Sequence, residues 1–255
     1  AANASDIQQV NRILGYSNIN QVIWEKIKVI SIIGKESLRN YKEIVKEAYG
    51  IIIDRSRLAA TNLEMLPKLQ KEIVEECNKY GKPVIIAGSV LDSMVKSKQP
   101  LQAEIYDISN AVLEGASALM LSNKVATGKY PIEAVETVSM VIKGAETGWT
   151  GSNYNASYDL THFIGKAVSE LEKILRIDAL LIITSGGYSA RMISSRRLKC
   201  KTIAATSRKK IFRQLNLLWG IMPLYVEINA EDISNNDKKE VILKALKKGF
   251  IGKRD

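Results

Sequence analysis

The chain of 255 residues is long enough for one large domain or two medium ones, and 46% apolar with 25% charged residues is ordinary for a globular chain. No stretch approaches the roughly 20 consecutive apolar residues a membrane helix needs, and the polar amino end, AANASDIQQV, is not secretory in character, so neither a signal peptide nor a membrane partner is expected. A net charge of +10 admits a nucleic-acid binder or a solvated lysine-rich surface; the second is favoured and nucleic acid is not expected as a partner, because no aromatic residues interleave with the basic clusters Arg196-Arg197-Leu198-Lys199, Arg208-Lys209-Lys210 and Lys247-Lys248.

Ser5-Asp6-Ile7-Gln8 reads as a capping box that opens a helix with Ile7, Val10, Ile13 and Leu14 on one face. Strands are predicted at 28–33, 50–53, 84–87 and 118–121. Between them fall helices at about 38–49, 67–80 (opened by Pro67 and stopped by Gly81) and 103–113 (stopped by Gly115). Pro131 starts a further helix that ends near Lys143. The Gly- and Ser-rich run GAETGWTGSNYN at 144–155 reads as a linker. A second unit follows, with a helix at about 158–175, strands at 179–184, 202–205 and 224–226, and a last helix near 237–248. Strand and helix alternate throughout, which predicts parallel sheets covered by helices. Cys77 and Cys200 are the only cysteines and point to free thiols in a reducing, cytoplasmic compartment.

The run from Lys82 to Pro131, KPVIIAGSVLDSMVKSKQPLQAEIYDISNAVLEGASALMLSNKVATGKYP, resembles the second half of the pyruvate kinase barrel. There the family reads KPVI-T-A-T-Q-M-L-E-S-M, then P-T-R-A-E-x-x-D-x-A-N-A-x-x-D-G, then V-M-L-S-G-E-T-A-x-G-x-Y-P. ASDIQQVNRIL resembles the helix after the fourth barrel strand, and 28–43 the fifth strand with its helix. LIITSGGYSA at 181–190 resembles the phosphate loop T-x-S-G-R-S-A of the family's carboxy-terminal domain, and WGIMPL at 219–224 resembles R-G-V-F-P-V. The resemblance implies an α/β protein: the C-terminal half of a TIM (β/α)8 barrel over 1–143, a linker over 144–157, and the pyruvate kinase C-terminal α/β domain over 158–255 with its last strands missing. Four strands leave half a barrel with an open edge. The first four strands and the lid domain are expected either to lie outside this sequence or to be absent from the protein.

The family's reaction moves a phosphoryl group from phosphoenolpyruvate to ADP, using Mg²⁺ and K⁺. The resemblance implies a lysine and a metal-binding glutamate in S-K-I-E, a metal-binding aspartate in R-G-D-L-G, and a threonine in A-T-Q. Here those positions read Ile32 and Gly34, then Ser56 and Arg57, then Gly88. The fourth motif, S-G-E-T-A, becomes Ser122-Asn123-Lys124-Val125-Ala126. Lys35 and Ser89 lie next to lost positions as possible stand-ins. Arg57 inverts the charge of a metal ligand and either takes over the vacated metal position, pairing with Asp54 or Asp92, or lies on a solvent-facing loop. His162, the only histidine, sits on a predicted helix and is not read as a catalyst; neither a Cys/His metal spacing nor a dinucleotide motif is present.

Several expectations follow. No catalytic residue is assigned, and no cofactor is expected, because the metal-ligand positions are lost or fall outside the sequence. The loop at Thr184, Ser185, Gly187 and Ser189 is a candidate effector-phosphate site, against a plain strand-to-helix turn. The helix carrying Ala103, Glu104, Asp107 and Asn110 keeps the family pattern of a subunit contact, with Gln102 in place of an arginine. The expected protein is an inactive subunit that partners an active pyruvate kinase paralogue, itself, or both in a tetramer. The alternatives are residual pyruvate kinase activity and a basic ribonucleoprotein-binding module.

Overall fold

The computed structural model describes residues 3–16, 28–60, 63–147, 160–228 and 233–252. The chain divides into two compact units, 1–150 and 151–255.

In the first unit, α1 (Ala4–Tyr16) leads to four short strands: β1 (Ile30–Ile33), β2 (Gly50–Asp54), β3 (Val84–Ala87) and β4 (Ala118–Met120). They form one parallel sheet in the order β1-β2-β3-β4. Between them run α2 (Tyr41–Glu47), a one-turn α3 (Arg55–Ala59), α4 (Leu66–Lys79) and α5 (Gln102–Glu114); α6 (Asn123–Ala126) and α7 (Pro131–Thr147) follow β4. Side chains alternate across a strand, so the register fixes two sets of residues. The row Ile33–Ile53–Ile86–Leu119 faces the helices, and its three isoleucines are fully buried with Ile44, Leu58, Ile73, Val74 and Cys77. The row Ile32–Ile52–Ile85 lies on the opposite face, where Ile32 is 38% exposed. A second cluster joins Val90, Leu91, Met94, Ile108, Val125 and Ala134 beneath α5, α6 and α7.

In the second unit, α8 (Leu160–Ile174) precedes a parallel sheet β5-β6-β7 (Ala179–Ile183, Lys201–Thr206, Ile221–Tyr225), with α9 (Tyr188–Ser194), α10 (Lys209–Leu215) and α11 (Asn235–Lys247). Central β6 is buried on both faces. Ile203 and Ala205 pack with Val241 and Ala245 of α11, and Ala204 packs with Ala190 of α9 and Ile211 and Leu215 of α10. No helix among the described residues is long and apolar enough to cross a membrane.

Five local readings are corrected. The cap of α1 is Asn3, not Ser5: Asp6 N donates to Asn3 Oδ1 at 3.0 Å and Asn3 N returns a bond to Asp6 Oδ2 at 3.2 Å, the reciprocal pair of a capping box. Val10 of α1 is exposed. A 3₁₀ turn at 35–40 precedes α2, so that helix starts at Tyr41 rather than Leu38. α7 continues through Gly144 to Thr147, because Val138, Val141 and Ile142 pack on the second cluster and outweigh the ~1 kcal/mol a helical glycine costs. Strand β7 also starts earlier, at Ile221, and contains Pro223. Among the described residues it pairs on one side only, with β6, and an edge strand tolerates the missing N–H. Of the segment read as a linker, 148–157 lies outside the described residues.

Candidate functional site

Because the four strands of the first unit run parallel and in register, the residues that follow them collect along one edge. These are Gly34 after β1, Asp54-Arg55-Ser56-Arg57 at the end of β2, Gly88-Ser89 after β3 and Ser122 after β4. This edge brings together the positions singled out in the sequence.

Arg55 organises it. Its side chain is buried, with Nε and Nη2 donating to the Gly88 carbonyl at 3.0 and 2.6 Å and Nη1 meeting Asp107 Oδ1 of α5 at 2.6 Å. One guanidinium thus joins the ends of two strands to a helix in the fork geometry that suits arginine. The sequence reading passed over Arg55; its signal was its being the one charged member of R-G-D-L-G still in place.

Gly88 has φ of +89°, in the region that favours glycine. A Cβ there would lie 2.8 Å from Ser56 Oγ and 3.1 Å from Ser56 N. The missing threonine and the added serine therefore crowd one space. Ser89 and Leu91 also have positive φ, 52° and 56°. Burial of Val90 and Leu91 and the Arg55 bonds to Gly88 hold this turn against a cost of about 1–2 kcal/mol per left-handed residue.

Gly34 is fixed by the buried Ser37: Gly34 N donates to Ser37 Oγ at 3.0 Å, and that hydroxyl donates to Gly34 O at 3.2 Å. A Cβ on Gly34 would lie 3.2 Å from Arg57 Cβ and 3.3 Å from Arg57 Cδ, inside the ~3.5–4.0 Å of a relaxed carbon contact. The arginine stem covers the turn where a glutamate would project. Arg57 itself pairs with Asp54, Nε to Oδ2 at 3.1 Å, with its amide donating to Asp54 Oδ1 at 3.3 Å. Asp92 instead accepts from Ser122 Oγ at 3.5 Å. Ile32 extends the apolar row of the open face, so no lysine charge is presented there. Val125 is fully buried and Lys124 exposed.

A divalent ion does not fit these residues. One ligand position has no side chain, the other carries a guanidinium, and among the described residues no three His, Cys, Asp or Glu side chains converge on a point.

On α5, Ala103 and Asn110 are exposed, but Glu104 and Asp107 are engaged within the unit. Glu104 accepts from Ser93 N and Leu101 N at 2.9 Å each and from the Ser93 hydroxyl. Burial pushes its carboxyl up, but those bonds outweigh burial and hold it below the ordinary value. Burial raises Glu114, at the other end of α5, against an opposing bond from Gln70 Nε2 at 2.6 Å.

In the second unit, Thr184 is buried and its Oγ1 accepts from Gly187 N at 2.9 Å, so that amide is already engaged; Gly187 has φ of +79°. Ser185 and Ser189 are half-buried beside it. His162 falls in α8, and its side chain lies outside the described residues.

Two parallel α/β units, the first with its polar positions along the carboxyl edge of a short-stranded sheet, define an α/β protein. The pyruvate kinase barrel domain matches residues 1–135 and the pyruvate kinase alpha/beta domain matches 162–255. The chain belongs to the pyruvate kinase family. It is 36% identical over 214 residues to a pyruvate kinase of Thermoplasma acidophilum, covering 83% of this chain and 39% of that one. It is 32% identical over 254 residues to that of Methanocaldococcus jannaschii, covering 97% and 56%. A solved pyruvate kinase from Cryptosporidium parvum superposes with a TM-score of 0.88 at 28% identity, over 98% of this chain and 52% of that one. The chain thus spans about half the length, or less, of the relatives it matches. The first unit corresponds to the C-terminal part of the family's barrel, and the second to its alpha/beta domain.

Proposed function

We propose that this protein is a catalytically inactive member of the pyruvate kinase family, acting in the cytoplasm as a structural or regulatory subunit of a pyruvate kinase oligomer. The observation that carries this reading is Arg57. Phosphoryl transfer needs cationic clamps that neutralise phosphate charge, and at the carboxylate position that would hold the metal stands a guanidinium paired with Asp54 and packed over Gly34. Ile32, Ser56 and Gly88 support it, since the first offers no charge and the other two share one side chain's space. The subunit role rests on α5, where Ala103, Tyr106 and Asn110 are exposed while Glu104 and Asp107 fasten the helix to the unit. The 184–189 loop is proposed as a weak effector-phosphate site at most, because Thr184 already occupies the Gly187 amide.

A lactate-dehydrogenase-coupled assay on the purified protein, with phosphoenolpyruvate, ADP, Mg²⁺ and K⁺, is expected to show no turnover above background. Native pull-down is expected to bring down an active pyruvate kinase. Clear turnover would favour the second reading, residual pyruvate kinase activity, for which the relatives' names and the intact Arg55 framework speak.

A further inference from the structure

The edge of the first sheet contains a cation of its own. Arg57 Nε lies 3.1 Å from Asp54 Oδ2, and the same residue's amide donates to Asp54 Oδ1. Its Cβ and Cδ stand 3.2 and 3.3 Å from the point where a side chain on residue 34 would begin, and Glu36 Oε2 stands 3.7 Å from that point. The arginine stem, the Glu36 carboxylate and the Asp54–Arg57 pair therefore meet around the bare turn at Gly34. Relative to the family's R-G-D-L-G the carboxylate stands at Asp54, three residues early, and a second guanidinium, beside the retained Arg55, stands at Arg57.

We infer that Arg57 is a resident cation: it takes the electrostatic place of a divalent metal beside Asp54 and bars such a metal from this edge. Three physical points support the assignment. A guanidinium has no lone pair to offer and stays charged at any working pH. Its charge repels a second cation while neutralising the carboxylate that would otherwise attract one. Its stem fills the approach to residue 34, so a single substitution there meets both a steric and an electrostatic obstacle. The inference deepens the proposed loss of catalysis, but it is read from metal binding rather than turnover, so the two can fail separately.

The test is a Mn²⁺ titration of the purified protein, with free ion followed by electron paramagnetic resonance and folding checked by thermal melting. Wild type, R57K and G34E are expected to leave Mn²⁺ free up to about 1 mM, above the usual range of weak protein sites. G34E/R57D, with the charge reversed and the space opened, is expected to bind one Mn²⁺ at least about tenfold more tightly than wild type, and added Mg²⁺ should release it. R57A only trims an exposed side chain, and it carries the test if the double variant melts early. Freed of its cation, Asp54, with Glu36 at the Gly34 turn, should then hold Mn²⁺ about threefold or more tighter than in wild type. The inference is overturned if wild type binds one Mn²⁺ below the millimolar range and D54N abolishes it. It is equally overturned if a well-folded G34E/R57D, or R57A in its stead, binds no tighter than wild type. Turnover by a protein that holds no Mn²⁺ would instead remove only the inactive-subunit reading.

Discussion

Arg55 and Arg57 stand two residues apart on one helical turn and do opposite things. Arg57 is 63% exposed, and its pair with Asp54 adds at most about 1 kcal/mol to stability. Arg55 is buried and satisfies a carbonyl that would otherwise lose its partner, and its removal leaves Asp107 unpaired. R55A is therefore expected to destabilise the fold by roughly 3 kcal/mol in urea titration, R55K by less, and R57A by under about 1 kcal/mol. Equal midpoints for R55A and R57A would refute this division of labour. The exclusion between Ser56 and Gly88 has its own signature. G88T should cost roughly 2 kcal/mol or more, from a left-handed β-branched residue and a 2.8 Å approach. S56G/G88T should recover the steric share, giving a coupling of roughly 1 kcal/mol in a double-mutant cycle. Strict additivity would mean the two side chains do not share the space.

At the scale of elements, α5 is held at its amino end by Glu104 and at its middle by Asp107, to the 92–95 turn and to Arg55 respectively. The Glu104 carboxyl sits below its ordinary value in the folded protein. A lowered folded value means stability that is fully present above the unfolded value and is lost as pH falls through the folded one. Wild type should therefore lose melting temperature more steeply than E104Q between about pH 5 and 3, and parallel curves would show that the Ser93 and Leu101 bonds do not discriminate the charged form. Element order and most boundaries were legible in the sequence, because the isoleucine-rich strand runs, Pro67, Gly81 and Gly115 are local signals. The exclusions at the sheet edge were not. Ser56 competes with Gly88, and Arg57 with a side chain at Gly34, across neighbouring strand ends, and only parallel register brings residues 32 and 23 positions apart in sequence into contact. The pairing of Arg57 with Asp54 was one of the alternatives open from sequence, because both lie on one turn and a capping geometry makes them neighbours. Glu104 and Asp107 were read as subunit-contact residues on family pattern alone, and their inward bonds depend on Ser93 and Arg55, which no local period reveals.

At the scale of the molecule, the first unit exposes apolar side chains where a solitary domain would not favour them. Tyr106 is 61% exposed on α5, with Leu113 on the same side one heptad on, and α7, packed beside α5, presents Ile132, Val135 and Met140. Helix faces of this kind mark association surfaces. If α5 and α7 form the face through which the proposed oligomer assembles, covering each large apolar side chain contributes about 1.5–3 kcal/mol, or roughly 10- to 100-fold in affinity. Y106E and V135E place a charge where that cover would lie, without replacing any partner of the Arg55–Asp107 and Glu104–Ser93 bonds. Each is expected to leave the melting temperature within a few degrees of wild type and to abolish co-elution with pyruvate kinase in size-exclusion chromatography. Loss of secondary structure is not expected in either, since both positions are exposed in the first unit. Co-elution that survives in Y106E/V135E would place the contact elsewhere on the protein. Loss of co-elution with unchanged melting is what an assembly built on this face requires.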